Sequence, residues 1–227
     1  MIFPQCEIFF PAAAQEILFV SGGRPPSREF FLKIASERKI FCIDKGIELC
    51  KACEIVPNVL IGDFDSANKN SVDWAQYKNI FIEKYPADKD FTDTQLALSR
   101  ANEIFGEHVA ILTGCFGGGR FDHLYSTIFT CAAAKNKIFL ADEREIIFYL
   151  RGGESVTINF YKKPLAVSLL PITSTCEGIS TKNLHWELDS ALLTQNFPNA
   201  TSNRADDDKI SVKIDSGTLA IYFCFEE

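Results

Sequence analysis

The 227-residue sequence has little methionine, histidine and tryptophan, with one, three and two residues. It also lacks an apolar run of about 18 residues, which excludes a transmembrane helix. Its apolar N-terminus has no positive leader region and is interrupted by Glu7 and two prolines, so it is a poor signal peptide. No run is basic, and the formal net charge is −7. We therefore expect a cytoplasmic protein without a membrane or nucleic-acid partner.

The eight cysteines are scattered and lie mostly in apolar runs, which is typical of small buried side chains in a reducing compartment. Cys50 and Cys53 have the spacing of a zinc or redox pair. No second pair at a matching spacing accompanies them, and they lie on a predicted helix. We favour the interpretation that they are two thiols on a packed helix face.

Apolar runs alternate with segments of helical spacing between residues 16 and 141. This alternation predicts βαβ units, and therefore an α/β fold with a parallel sheet and helices on both faces. After about residue 143 the pattern changes to short β-like runs separated by turn residues, which predicts an all-β sandwich or barrel. We expect two domains, at residues 1–143 and 144–227.

Acidic residues follow two of the predicted strands. Asp44 ends one strand, and Asp63 and Asp65 follow the next, after Gly62. Ligands of parallel α/β sheets bind beyond the carboxyl ends of the strands. On an extended chain Asp63 and Asp65 would point the same way, and two like charges side by side are costly without a cation between them. These acids therefore indicate a metal site, although an acid at a strand end is also a common turn residue.

A second acidic group lies before a predicted helix. Asp88, Asp90 and Asp93 fall within six residues, and Asp90 or Thr92 can cap the helix that follows. An acid in a first helical turn is often present only for capping and for the helix dipole. The two acidic groups together favour metal binding more strongly than either alone.

A glycine-rich loop, Gly114–Arg120, joins a predicted strand to a helix. Its three consecutive glycines, Gly117, Gly118 and Gly119, allow backbone N–H groups to turn toward a phosphate, and Arg120 can donate two parallel hydrogen bonds to phosphate oxygens. The loop nearly matches a P-loop but lacks the hydroxyl that holds magnesium there. The metal, Mg²⁺ in our interpretation, would then be held by the aspartates. A flexible surface turn is the alternative interpretation.

These motifs, in this order, resemble those of the thiamine pyrophosphokinase family. The matching segments are Gly62–Ser66, Asp88–Asp93 and Gly118–His123, with weaker C-terminal matches at Thr181–Trp186 and Ser202–Asn203. The resemblance covers nearly the whole chain. The glycine loop departs from the family pattern because it is one residue longer.

The resemblance implies a parallel α/β catalytic domain that binds ATP and Mg²⁺, and a β-sandwich domain that binds thiamine. It implies a homodimer with the active site at the subunit interface. The implied enzyme is a thiamine diphosphokinase. It would transfer pyrophosphate from ATP to the hydroxyethyl group of thiamine, which gives thiamine diphosphate and AMP.

The resemblance also implies roles for individual residues. The metal ligands would be Asp63, Asp65 and Asp93, which with Arg120 form the catalytic set. Asp93 is also our candidate for accepting the proton of the alcohol. The remaining nucleotide-binding positions would be Asp44, Asp88, Asp90, Thr92, Gly117, Gly118, Gly119, Asp122 and His123. Thiamine would contact Trp186, Ser202 and Asn203.

Three alternatives stay open at this point. The chain could be a magnesium-dependent nucleotide hydrolase, in which water replaces thiamine. It could also be a non-catalytic module that senses nucleotides. Without the resemblance, Trp186 is equally well an ordinary core aromatic of a β-domain.

Overall fold

The structure is a computed structural model that describes residues 1–10 and 15–226. The chain divides into two compact units, which we call the α/β unit (Ala14–Asp142) and the β unit (Met1–Ala13 with Glu143–Glu227). The sequence analysis had placed residues 1–13 in the first domain. Instead, β1 (Cys6–Phe9) pairs antiparallel with the strand at Ser155–Phe160, and this pairing brings the N-terminus into the β unit.

The α/β unit alternates strands and helices, as the alternation of apolar runs and helical segments predicted. They are β2 (Gln15–Val20), α1 (Arg28–Ala35), β3 (Lys39–Ile43), α2 (Ile47–Ala52), β4 (Val59–Gly62), α3 (Lys69–Tyr77), β5 (Phe81–Lys84), α4 (Asp93–Phe105), β6 (His108–Thr113), α5 (Phe121–Ala133) and β7 (Lys137–Ala141). Within the unit the strand order is β7-β6-β2-β3-β4-β5. All five pairings between these neighbours are parallel, so the strands end at one common edge.

The helix starts follow from capping chemistry. The Ser27 hydroxyl accepts a hydrogen bond from the Phe30 N–H at the start of α1. At α4 the Thr92 and Gln95 side chains each accept a hydrogen bond from the other's backbone N–H, which forms a capping box. This box fixes the position of Asp93, the first residue of α4, relative to the loop that precedes it.

Among its described residues, the β unit contains seven further strands. They are β8 (Glu145–Arg151), β9 (Ser155–Phe160), β10 (Ala166–Pro171), β11 (Thr175–Lys182), β12 (Ala191–Thr194), β13 (Lys209–Lys213) and β14 (Thr218–Cys224). One antiparallel group has the order β10-β14-β8, and the other has the order β1-β9-β13-β11-β12. The short β-like runs of the sequence lie at residues 145–150, 155–160, 166–172, 209–214 and 218–225, so this pattern did not predict β1, β11 or β12.

Phenylalanine rings join the two strand groups of the β unit. The Phe160 ring of β9 meets the Phe223 ring of β14 edge-on, with centroids 5.0 Å apart, and Phe148 of β8 lies 5.7 Å from Phe223. Phe148 and Phe223 are fully buried. Burying one such ring contributes about 1.5–3 kcal/mol, so some of the 20 phenylalanines of the chain stabilise the β unit.

No helix in the described part of the chain is long and apolar enough to cross a membrane. All eight cysteines lie in the described part of the chain, and none of them forms a disulfide there. Cys50 is fully buried, and its sulfur lies 3.1 Å from the sulfur of Cys42, whereas Cys53 is buried nearby on the following turn. This arrangement agrees with thiols packed against the sheet.

A substitution at Gly46 tests how tightly the turn before α2 is packed against the sheet. It ends the short 3₁₀ turn Asp44–Gly46, and a Cβ atom placed on it would lie 1.9 Å from the carbonyl oxygen of Val20 in β2. Since that neighbour is backbone, Gly46→Ala must displace the strand or the turn. We expect the free energy of unfolding to fall by about 2–3 kcal/mol, measured by urea denaturation. Lys45→Ala, at the exposed neighbouring position, is the matched control. Equal stability of the two variants would contradict this packing.

Candidate functional site

The ends of β3 and β4 bring three carboxylates together. Asp44 directly follows β3, and Asp63 and Asp65 follow β4. Each of the three offers a carboxylate oxygen, and these oxygens all lie within 4.8 Å of one another. The two strand ends can approach so closely because of Gly62, where a Cβ atom would lie 3.2 Å from the Cα atom of Asp44.

The backbone around these carboxylates is turned rather than extended. Asp44 has a φ of 45° and Phe64 a φ of 66°, conformations that side chains other than glycine seldom adopt. The sequence argument for Asp63 and Asp65 assumed an extended chain. The left-handed residue between them instead forms a tight turn, in which the Asp65 N–H donates a 3.1 Å hydrogen bond to the Asp63 carboxylate. Strain of this kind is concentrated at functional sites.

Asp93 is connected to this group by a lysine, which forms ion pairs with both Asp63 and Asp93. The Lys89 ammonium lies 3.0 Å from Oδ2 of Asp63 and 3.3 Å from Oδ1 of Asp93. The sequence analysis named Asp63, Asp65 and Asp93 as the metal ligands. Among the described residues, the three carboxylates that lie close together are instead those of Asp44, Asp63 and Asp65. Lys89 itself was missed, although its position four residues before Asp93 is a recognisable spacing for an ion pair.

The electrostatics show a site with excess negative charge. The pKa of Asp63 is lowered, first by the hydrogen bond from the Asp65 N–H and then by Lys89. The negative charge of Asp63 in turn raises the pKa of Asp65, and burial raises the pKa of Asp93. The surroundings therefore disfavour the charged forms of Asp65 and Asp93 unless a further cation is present.

Two carboxylate oxygens at this site are buried without a hydrogen-bond partner among the described residues. They are Oδ1 of Asp44 and Oδ1 of Asp93; the latter faces Lys89 at ion-pair distance but outside hydrogen-bond geometry. The other oxygen of Asp44 accepts a hydrogen bond from the Ser66 hydroxyl. A buried acceptor left without a donor costs free energy. Hard carboxylate oxygens are the ligands that Mg²⁺ prefers, so the residues present fit such an ion.

Asp88 and Asp90, which the sequence analysis placed in the nucleotide site, are exposed in the loop before α4. Thr92, placed there too, acts here as the helix cap. Their predicted contacts with a ligand remain predictions.

The glycine loop is anchored at its first half. Gly114 accepts a 2.6 Å hydrogen bond from the Gly23 N–H, and Phe116 accepts one of 2.7 Å from the Arg24 N–H. Four glycines of the loop have positive φ angles: Gly114, Gly117, Gly118 and Gly119. A Cβ atom on Gly114 would lie 2.3 Å from the carbonyl oxygen of Ser21. These contacts argue against a freely flexible turn, while Gly117 to Gly119 remain exposed.

Arg120 stands at the junction of this loop and α5. Its guanidinium forms a bidentate pair with Asp122, with Nε 3.1 Å from Oδ1 and Nη2 2.5 Å from Oδ2. Both side chains are largely exposed, and the pair lowers the pKa of Asp122. His123, next in the helix, is also exposed. The guanidinium fork can thus donate to two oxygens of one anion at once, as bidentate phosphate binding by Arg120 requires.

Arg24 is a second cation at this loop, and the sequence analysis missed it. Its Nη2 lies 2.6 Å from Oδ2 of the buried Asp142, and its guanidinium lies 5.9 Å from the centre of the Phe116 ring. The sequence signal that could have identified Arg24 is its position directly after Gly22 and Gly23, near the end of a strand. Arg24 fixes the loop after β2 to the glycine loop after β6.

In the β unit, Trp186 is 58% exposed, which excludes the core-aromatic alternative. The Arg204 guanidinium lies 5.8 Å from the centre of its ring, and the His185 ring meets it edge-on. The Asn203 side chain binds the Trp186 backbone on both sides, accepting from its N–H at 3.1 Å and donating to its carbonyl at 2.8 Å.

Asn203 therefore positions Trp186, and its amide is already used for this purpose. Ser202 has a φ of 58°, and its N–H donates to the Ser168 hydroxyl. The predicted contacts of Ser202 and Asn203 with thiamine remain predictions.

Comparisons with known proteins agree with this geometry. Residues 32–140 match the family model for the thiamin pyrophosphokinase catalytic domain, and residues 155–219 match the model for its vitamin B1 binding domain. A thiamin pyrophosphokinase 1 of Caenorhabditis elegans is 24% identical over 173 residues, which is 72% of this chain and 68% of that protein.

Solved structures show the same fold. The thiamine pyrophosphokinase of Bacillus subtilis superposes with a TM-score of 0.82 at 20% identity, covering 94% of this chain and all of that one. The enzyme from Candida albicans superposes with a TM-score of 0.79 at 16% identity, covering 94% and 90% of the two chains.

Fold and site define a mixed α/β protein of two units, with carboxylates gathered where parallel strands end. The two family models together span most of the sequence. The chain belongs to the thiamin pyrophosphokinase family. The predicted thiamine diphosphokinase activity is confirmed by these matches.

Proposed function

We propose that the α/β unit binds ATP and Mg²⁺ and that the β unit, a β-sandwich, binds thiamine. The observation that carries this proposal is the group of three carboxylates, with its buried and unpaired Asp44 oxygen, at the ends of two parallel strands. Asp44, Asp63 and Asp65 would hold the metal. When bound, Mg²⁺ would neutralise the phosphate oxygens and stabilise the departing AMP.

The other residues of the α/β unit position the triphosphate. Gly117, Gly118 and Gly119 present a turned backbone at the start of α5, and Arg120 offers its guanidinium fork to the outer phosphates. A pyrophosphoryl transfer needs the two outer phosphates held as one unit, in line with the acceptor alcohol. The parallel sheet, covered by helices on both faces, would present this loop and the carboxylates at one edge.

In the transfer step the hydroxyl oxygen of thiamine attacks the middle phosphorus of ATP. The new oxygen–phosphorus bond forms as the bond from that phosphorus to the oxygen of AMP breaks. The alcohol proton goes to Asp93 in this proposal. Burial raises the pKa of Asp93, which makes it a better proton acceptor than an exposed carboxylate.

Thiamine recognition would centre on Trp186. Its ring is exposed and is fixed from behind by Asn203, so one flat face can stack on a ring of the substrate. The acidic surface suits the cationic thiazolium ring. The expected homodimer, with its active site at the subunit interface, and the cytoplasmic location remain predictions.

The reaction is tested by its products. With γ-labelled ATP, Mg²⁺ and thiamine, we expect AMP and thiamine diphosphate in equal amounts, with the label in thiamine diphosphate. A reaction without thiamine is the control. Label in free phosphate would instead indicate a hydrolase, and ADP with thiamine monophosphate an ordinary kinase. ATP binding without turnover would indicate a sensing module. Each of these three results contradicts the proposal.

The metal site is tested by Asp63→Asn and Asp65→Asn. Each should lower turnover at least about a hundredfold, since removing one stabiliser of transition-state charge costs about 3 kcal/mol. Asp73→Asn, at an exposed position of α3, is the matched control and should retain full activity. Circular dichroism checks folding. Normal turnover with ordinary magnesium dependence in both site variants would refute the assignment.

The thiamine contact is tested by Trp186→Ala. We expect the KM for thiamine to rise about tenfold while the KM for ATP stays unchanged, because a stacking contact with a cationic ligand contributes about 1–2 kcal/mol. Phe197→Ala removes another exposed aromatic ring of the β unit and should change neither constant. Equal shifts in both constants of the Trp186 variant would argue for a general structural role.

A further inference from the structure

Lys89 occupies an unusual place among the acidic side chains of the α/β unit. Its side chain is only 14% exposed, and its ammonium contacts Oδ2 of Asp63 at 3.0 Å and Oδ1 of Asp93 at 3.3 Å. The ammonium also donates a 3.0 Å hydrogen bond to the carbonyl oxygen of Pro86. One lysine therefore links the end of β4 to both ends of the loop that leads into α4.

The charges around Lys89 explain why a cation is needed there. Asp63 belongs to the group of three carboxylates, and Asp93 contributes a fourth negative charge close by. Asp63 and Asp93 are themselves only 13% and 21% exposed, so solvent screens them incompletely. Lys89 forms an ion pair with each of these two carboxylates and so places one positive charge beside both of them.

We propose that Lys89 is an internal counter-ion that competes with the divalent metal, so that the metal binds well only together with the nucleotide. The proposal rests on the proposed metal site at Asp44, Asp63 and Asp65. In the protein without nucleotide, the ammonium neutralises Asp63 and Asp93 and lowers their attraction for a second cation. When ATP binds, its phosphates form ion pairs with the ammonium, and both carboxylates are then free to bind the metal.

In this proposal, one side chain couples the binding of the nucleotide to the binding of the metal. The coupling is reciprocal: if nucleotide binding releases carboxylates to the metal, loss of the lysine must raise metal affinity and lower nucleotide affinity. A lysine that only holds the loop in place predicts the opposite for the metal. Without it, the carboxylates would spread apart and metal affinity would fall.

The experiment compares Lys89→Met with the wild-type protein and with Lys89→Arg, which keeps the charge. Lys84→Met, at an exposed position at the end of β5, is the matched control for loss of one positive charge. Electron paramagnetic resonance measures Mn²⁺ binding without nucleotide. We expect Lys89→Met to bind Mn²⁺ about tenfold more tightly than wild type, within the usual range of such couplings. The Lys84 and Lys89→Arg variants should stay close to wild type.

A second measurement tests the nucleotide side. In EDTA, calorimetry should show weaker ATP binding by Lys89→Met than by wild type or Lys89→Arg. Thermal unfolding checks folding, with Lys89→Gln as a second variant. In EDTA we expect a lower Tm for both neutral variants, and added Mn²⁺ should raise it more than in wild type, since tighter binding stabilises the folded state more.

The outcomes separate this inference from the proposed function. Unchanged or weaker Mn²⁺ binding by Lys89→Met, with Mg²⁺-dependent activity intact in wild type, overturns the role of Lys89 alone. If neither protein binds Mn²⁺, with or without ATP, the metal site itself is refuted. Equally tight Mn²⁺ binding by Lys84→Met and Lys89→Met would show a general charge effect and would also overturn the proposal.

Discussion

Repulsion between carboxylates is the constraint on which the site depends. Asp44, Asp63 and Asp65 are forced together by the parallel pairing of β3 and β4, and by the contact that Gly62 permits between the two strand ends. This arrangement is unfavourable unless positive charge is supplied. Lys89 supplies part of it from within the chain. In the proposed function, a divalent metal would supply the rest, so the repulsion between the carboxylates would favour cation binding.

Most of the α/β unit could be predicted because its signals are local. Long apolar runs mark its strands, and Thr92, one of the two caps that the sequence offered for α4, is the residue that caps this helix. The β unit was harder to predict. In β1 the flanking prolines obscure the strand, and its partner lies about 150 residues away along the chain. In β11 the Gly178 region interrupts the alternation with an irregular register, so no period of two is visible.

The site shows the same division between local and long-range information. Asp63 and Asp65 could be identified because two acids directly follow an apolar strand. Whether Asp44 or Asp93 completes the group depends on strand order and on the turn at Phe64, which a linear pattern does not contain. Arg24 pairs with Asp142, 118 residues away, a contact that only the folded chain brings together. Asn203 likewise binds the backbone of Trp186, 17 residues away along the chain.

The central claim is that Asp44, Asp63 and Asp65 together bind the divalent cation that accompanies ATP. The most direct measurement is the anomalous scattering of Mn²⁺ in crystals grown with α,β-methylene ATP, which resists cleavage at the bond that breaks. The account predicts a peak at coordination distance from carboxylate oxygens of these three residues and in contact with phosphate oxygens. A peak bound by other residues, or nucleotide bound with no Mn²⁺ near the three carboxylates, would contradict it.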